Sequence, residues 1–122
     1  MPRAAKDPAA FIPLKHSTYR VLLALADGAL LHGYAIMQAV SEMTAGRETI
    51  LPGTLYAALA RMVDEGLVEE RDGSEDDPSG GPPRRYYRRT SFGRTVARAE
   101  SERLHALLDI ARAQKILSGA RK

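Results

Sequence analysis

The chain contains no cysteine and no tryptophan, and among its 122 residues there are only three histidines, two phenylalanines and five tyrosines. Without cysteine there can be no disulfide, no thiolate nucleophile and no cysteine ligand for zinc. His16, His32 and His105 are far apart, and no HExxH or glycine-rich phosphate loop occurs. Neither a metal cluster nor a catalytic triad can be assembled from such spacing, so no catalytic residue, metal or cofactor is expected. No run of about eighteen apolar residues is present, so neither a membrane span nor a membrane partner is expected, and a cytoplasmic location fits.

What remains is 44% hydrophobic, enough at this length for one core and little more. The net charge of +3 favours a polyanionic partner only mildly. Residues 1–13 are mostly polar, contain three prolines and lack the apolar stretch of a secretory signal. They read as a flexible N-terminal arm with Arg3 and Lys6 exposed.

From Leu14 to Ala26 apolar residues recur at helical spacing, with Asp27 and Gly28 as an exit. A second helix runs from Tyr34 to Met43, and Met37, Met43 and Met62 read as core filling. His32 reads as a turn or capping residue. Pro52 suits the first position of a third helix whose stripe of Leu55, Tyr56, Leu59, Met62 and Val63 stops at Gly66, a residue free to take the left-handed conformation. Two strands, Leu67–Arg71 and Arg84–Arg89, can then pair around a tip of Gly, Pro, Ser and Asp. Thr90 or Ser91 can cap a last helix over Ser91–Leu117, roughly 40 Å long. A small three-helix core cannot cover such a helix, so Leu104, Leu107, Leu108, Ile110 and Leu117 are expected to meet a second copy, packing against the first helix being the alternative.

Three helices followed by a ribbon predict a mainly α fold with a small β-ribbon, a winged helix-turn-helix with a long C-terminal helix. Residues 14–90 would form the DNA-binding domain and residues 91–122 the dimerisation helix and tail. The exposed start of the third helix would present Gly53, Thr54, Ala57 and Ala58, small enough for close approach to base edges. Thr54 could equally decorate a solvated turn. Tyr56 suits a phosphate contact or a core-edge tyrosine, and Arg61 a phosphate clamp or a surface pair with Asp64 or Glu65. In the densest basic run, Arg84, Arg85, Tyr86, Tyr87, Arg88 and Arg89, strand alternation lets one tyrosine pack inward. Its arginines could contact the DNA backbone, or serve solubility and pair with Glu69 and Glu70. The acids between Asp72 and Asp77 oppose deep minor-groove insertion, so the tip is expected to swing away.

Several of these pieces together resemble the PadR family of transcriptional regulators, in its compact class with one C-terminal dimerisation helix. They are His32, Gly33 and Tyr34 opening the second helix, LPGTLY from Leu51 to Tyr56, EGLV from Glu65 to Val68, and YYRRT from Tyr86 to Thr90. The resemblance spans about Leu14 to Leu117. It implies a homodimeric repressor bound to a palindromic operator in double-stranded DNA, with Thr54 and Tyr56 in the recognition region and Arg85 to Tyr87 in the basic wing. It also implies modulation by a small hydrophobic effector held in a cavity between subunits. The absence of tryptophan argues against a sensor that stacks a planar drug, and the acidic tip departs from the usual basic wing. The alternative from a different class is a winged-helix protein-interaction module without specific DNA binding.

Overall fold

A computed structural model of the protein describes residues 7–72 and 84–118. A short 3-10 turn, Pro8–Phe11, precedes α1 (His16–Ala24), β1 (Leu31–His32), α2 (Gly33–Met43), α3 (Pro52–Asp64), β2 (Val68–Asp72), β3 (Arg85–Arg89) and α4 (Ser91–Ala113). The mainly α winged-helix architecture expected from the sequence is present. Among the described residues no helix is long and apolar enough to cross a membrane.

The helices close on one core. Val21 and Leu22 of α1, Leu25 at its C-cap, Ile36 and Val40 of α2, and Leu55, Leu59 and Met62 of α3 are fully or almost fully buried, the helical ones each on the inward stripe of its helix. Leu67, Val68, Tyr87 and Val96 bring the sheet and the start of α4 onto the same cluster. Met37 packs against this core as expected, but Met43 does not, being 44% exposed at the last turn of α2.

The helix ends follow from capping chemistry. Gly66, at φ 78°, lets Leu67 N–H reach Met62 C=O at 2.9 Å and Gly66 N–H reach Val63 C=O at 3.1 Å, which closes α3 and turns the chain into β2. Thr90 caps α4 through Gly93 N–H at 2.9 Å. The far end of α4 comes earlier than expected. Lys115 takes the left-handed conformation at φ 64°, and Ile116 N–H bonds Ala111 C=O at 3.0 Å, so the helix stops at Ala113 instead of running to Leu117. Its 23 residues span about 35 Å.

Two further expectations are corrected. The ribbon is three-stranded, in the order β1-β3-β2, all antiparallel, because Leu31 and His32 use the free edge of β3 opposite Tyr87 and Tyr86. Residues 7–13, read as part of a flexible arm, are fastened down: Asp7 caps its turn through Ala9 N–H at 3.0 Å, and Phe11 meets Phe92 edge-to-face at 5.3 Å. Arg3 and Lys6 lie outside the described residues.

The first half of α4 is bound to the domain by polar contacts that the periodicity does not reveal. Ser101 Oγ donates its one hydrogen to Ala97 C=O at 2.8 Å, so in the 2.6 Å contact with Tyr19 Oη the tyrosine is the donor. Glu100, only 3% exposed, accepts Leu14 N–H at 3.2 Å and both Nε and Nη2 of Arg103 at 3.0 and 2.7 Å. Farther along, Leu104 is half-buried and Leu107, Leu108, Ile110 and Leu117 are exposed.

Candidate nucleic-acid interface

Along α3 the inward positions Leu55, Ala58, Leu59 and Met62 are occupied by the core. This leaves Gly53, Tyr56, Ala57, Ala60 and Asp64 facing outward at three- and four-residue steps. Ala58 was expected on the exposed face; it is 1% exposed because it follows Leu55 by three residues, on the same side. Gly53, Ala57 and Ala60 form a thin strip, and a Cβ added at Gly53 would meet nothing within 4 Å. A strip of this kind lets the helix backbone approach a groove floor closely. Thr54 is exposed beside it, at the rim of a recess of about 550 Å³ shared with Arg20 and Arg47.

Tyr56 leans from α3 across the start of α2 and is 48% exposed. Its hydroxyl lies 2.1 Å from where a Cβ at Gly33 would be, so a residue without a side chain is what lets the ring settle there. His32 caps α2: its Nδ1 accepts Ala35 N–H at 3.2 Å, the capping role expected of it. Its Nε2 is 3.0 Å from Arg84 Nη1, and its ring meets Tyr86 edge-to-face at 5.5 Å.

Between the flank of α3, the start of α2 and the ribbon runs a groove of about 690 Å³. Tyr56, Arg84, Arg85 and Tyr87, four of the residues singled out from the sequence, line it together with His32, Tyr34, Asp64 and Glu70. Tyr86 sits behind, half-buried against His32. Tyr87 is the tyrosine that packs inward: at 6% exposure it belongs to the core as much as to the groove, and DNA could meet only its edge. Burial first, then the charge of Glu70, pushes its phenol above the ordinary tyrosine pKa. Arg61 is half-buried and turns toward α1, where Nη2 donates to Thr18 Oγ1 at 3.5 Å. Thr54, Arg61 and Tyr86 therefore stand outside the groove that gathers the other four.

The ribbon arginines are engaged within the chain. Arg85 Nη1 lies 2.6 Å from Glu70 Oε2, and Arg88 Nη2 lies 3.1 Å from Glu69 Oε1. Arg89 pairs with Asp27 and donates to Leu22 C=O at 3.0 Å, placing a cation on an otherwise open carbonyl at the end of α1. The pairing reading holds for Arg85 and Arg88. Asp72 is the only one of the acids between Asp72 and Asp77 among the described residues.

Residues 21–99, from the second half of α1 through the sheet to the start of α4, match the family model described as the transcriptional regulator PadR-like family. The chain belongs to the PadR-like family. Its fold is shared by a transcriptional regulator from Clostridium thermocellum, 24% identical with a TM-score of 0.68, in which 80% of this chain and 88% of that one correspond. A PadR family transcription regulator from hypervirulent Clostridium difficile is 23% identical with a TM-score of 0.67, covering 81% of this chain and 97% of that one. Bacillus subtilis PadR, solved in complex with operator DNA, is 21% identical with a TM-score of 0.60 over 71% of this chain and 47% of that one. No curated protein matches the sequence. As a member of this family the protein is a transcriptional regulator and not an enzyme.

Sequence reasoning passed over three residues that shape this PadR-like face. Gly33 was read as part of a motif but not as the seat of Tyr56. Asp27 was read as a helix exit, yet it holds Arg89 and lies 3.2 Å from Arg94 Nε. Glu70 was seen only as one of two acids near a basic run; its place on the groove comes from the strand register, which pairs it with Tyr87.

Proposed function

We propose that the protein is a homodimeric, sequence-specific DNA-binding repressor. The observation that carries this reading is the thin outward strip of α3 standing next to an arginine-bearing ribbon, with a groove between them. Two subunits would lay their α3 helices in successive major grooves of a palindromic operator, about one helical turn apart, and exclude polymerase from the promoter. Thr54 would read base edges, while Tyr56, Arg84, Arg85 and the edge of the Tyr86–Tyr87 pair would hold the backbone between helix and ribbon. Arg61 would hold its flank of α3 against α1, with any phosphate contact secondary to that role. The apolar face formed by Leu104, Leu107, Leu108, Ile110 and Leu117 supports dimerisation, because it lies beyond what the domain covers. A small hydrophobic effector would act there by favouring one of two dimer geometries.

The test is fluorescence anisotropy on a duplex from immediately upstream of the protein's own gene, against a scrambled duplex, with salt varied. Selective, salt-sensitive binding by two subunits is expected, and changing Thr54 should alter operator preference more than overall affinity. Equal or absent binding across a panel of upstream regions would transfer the reading to a protein-interaction module.

A further inference from the structure

The groove between α3 and the ribbon is the concavity into which a DNA strand would fit, and one of its cations is already occupied. Arg85 has a side chain 69% exposed, yet Glu70 holds it at 2.6 Å. Strand register sets Glu70 opposite Tyr87 and Asp72 opposite Arg85, so both carboxylates share the sheet face that carries Arg85. Glu70 and Arg85 both line the groove. The other ribbon pairs differ in kind, and Arg71, 3.7 Å from Glu69, does not line the groove. Glu69 and Arg88 face each other on the opposite side of the sheet. Arg89, with its side chain 12% exposed and a second bond to Leu22 C=O, is fixed in the fold. Among the described ion pairs of the ribbon, Arg85–Glu70 combines exposure, a place on the groove and a partner that could be exchanged.

We infer that Glu70 is the affinity-limiting residue of the DNA-binding face: in the free protein its carboxylate occupies the guanidinium of Arg85, and a DNA phosphate must displace it. This rests on the DNA-binding reading above. The exchange has a thermodynamic signature. A free cation that neutralises one phosphate releases condensed counterion and adds about 0.9 to the slope of log K against log salt. When the cation is taken from a carboxylate, the freed carboxylate gathers counterion in turn, and the two largely cancel. Arg85 then positions a strand while adding almost nothing to the salt dependence. The pair also sets a threshold, since a ligand lacking a phosphate in the right place leaves Arg85 with Glu70.

The experiment uses the full chain and a fluorescein-labelled duplex from immediately upstream of its gene, titrated between about 50 and 200 mM salt. Glu70→Gln removes the charge and keeps the shape. It is expected to bind about three- to tenfold tighter at the low-salt end, with a slope steeper by about 0.9. In an Arg85→Ala background the same substitution should change both quantities by no more than the Glu42→Gln control does. Glu42→Gln, at an exposed acid on α2, measures the effect of one unit of net charge alone. A Glu70→Gln shift no larger than that of Glu42→Gln, an undiminished shift in the Arg85→Ala background, or weaker binding would each overturn the inference. Glu70→Ser, read the same way, guards against a variant that fails to fold. If the wild type binds and both Glu70 variants match it, only the exchange is lost; if neither wild type nor variant binds any duplex, the DNA-binding reading is lost as well.

Discussion

At Gly93, in the first turn of α4, an added Cβ would sit 2.0 Å from the carbonyl oxygen of Leu67, a backbone atom that Thr90 already uses as an acceptor. Gly93→Ala is therefore expected to cost about 1–3 kcal/mol, read from urea unfolding. Gly33 offers a contrast. There the obstructing atom is the end of the Tyr56 side chain, which can swing away. Gly33→Ala should leave stability nearly unchanged and lower DNA affinity, and an equal stability loss for both variants would contradict this account. Glu100 is the charged residue buried among the described residues. The hydrogen bond from Arg103, joined by Leu14 N–H, holds its carboxyl below the ordinary glutamate pKa against the opposing effect of burial. A depressed folded-state pKa stabilises the protein above the unfolded value, about 4.3, and that contribution is lost as pH falls through the folded-state pKa. Glu100→Gln should thus cost about 1.5–3 kcal/mol near neutral pH, with the gap to wild type closing on acidification; a pH-independent gap would assign the loss to packing. None of these roles was legible in the sequence. A glycine or a glutamate in a helix looks the same whether it faces water or another element.

At the scale of elements, the ends were more readable than the lengths. Thr90 was expected to cap α4, and it does so while its hydroxyl also faces Gly66 C=O at 2.6 Å and Leu67 C=O at 3.1 Å. With one hydrogen to donate, it shares that hydrogen between the two carbonyls and accepts Gly93 N–H. Thr90→Val, which keeps the shape and removes the hydroxyl, should cost about 1–2 kcal/mol, and Thr90→Ser should recover most of it; thermal unfolding of the three proteins would decide. Gly66 closes α3 as its residue type suggests, whereas Lys115 does the same for α4 without any such signal, because a lysine in the left-handed region is uncommon. The strand β1 was invisible for a different reason. Two residues cannot display alternation, and Leu31–His32 is a strand only because β3 offers an edge.

For the whole molecule, the consequential feature is the apolar second half of α4 and the turn after it, where Leu107, Ile110 and Leu117 are 50, 53 and 40% exposed. Replacing Leu107 and Ile110 together by glutamate should convert the proposed dimer into a folded monomer, seen by sedimentation equilibrium with the helical circular dichroism retained. Operator affinity should fall with it, since two half-sites are no longer engaged by one particle. A variant that stays dimeric would place the subunit contact elsewhere. Net charge matters at this scale too. Among the described residues the positive charge sits largely on arginines that hold carboxylates, so on the proposed function attraction to DNA would depend on which pairs can open, more than on the sum.

Periodicity, helix punctuation and the basic run determined the class of this protein by themselves, because a helical stripe, a proline start and a glycine stop act through local geometry that any neighbouring fold must respect. They were enough to set out the helices and the two longer strands, while the motifs at His32–Tyr34, Leu51–Tyr56, Glu65–Val68 and Tyr86–Thr90 carried the PadR-like resemblance. Tertiary structure alone decided which residues carry each face: that Ala58 and Tyr87 turn inward, that Glu100 is buried, that residues 7–13 are fastened to α4 and that Glu70 holds Arg85 at the groove. Burial and ion pairing depend on where distant segments meet, and contacts such as Leu14 with Glu100, 86 residues apart, leave no local trace in the order of amino acids.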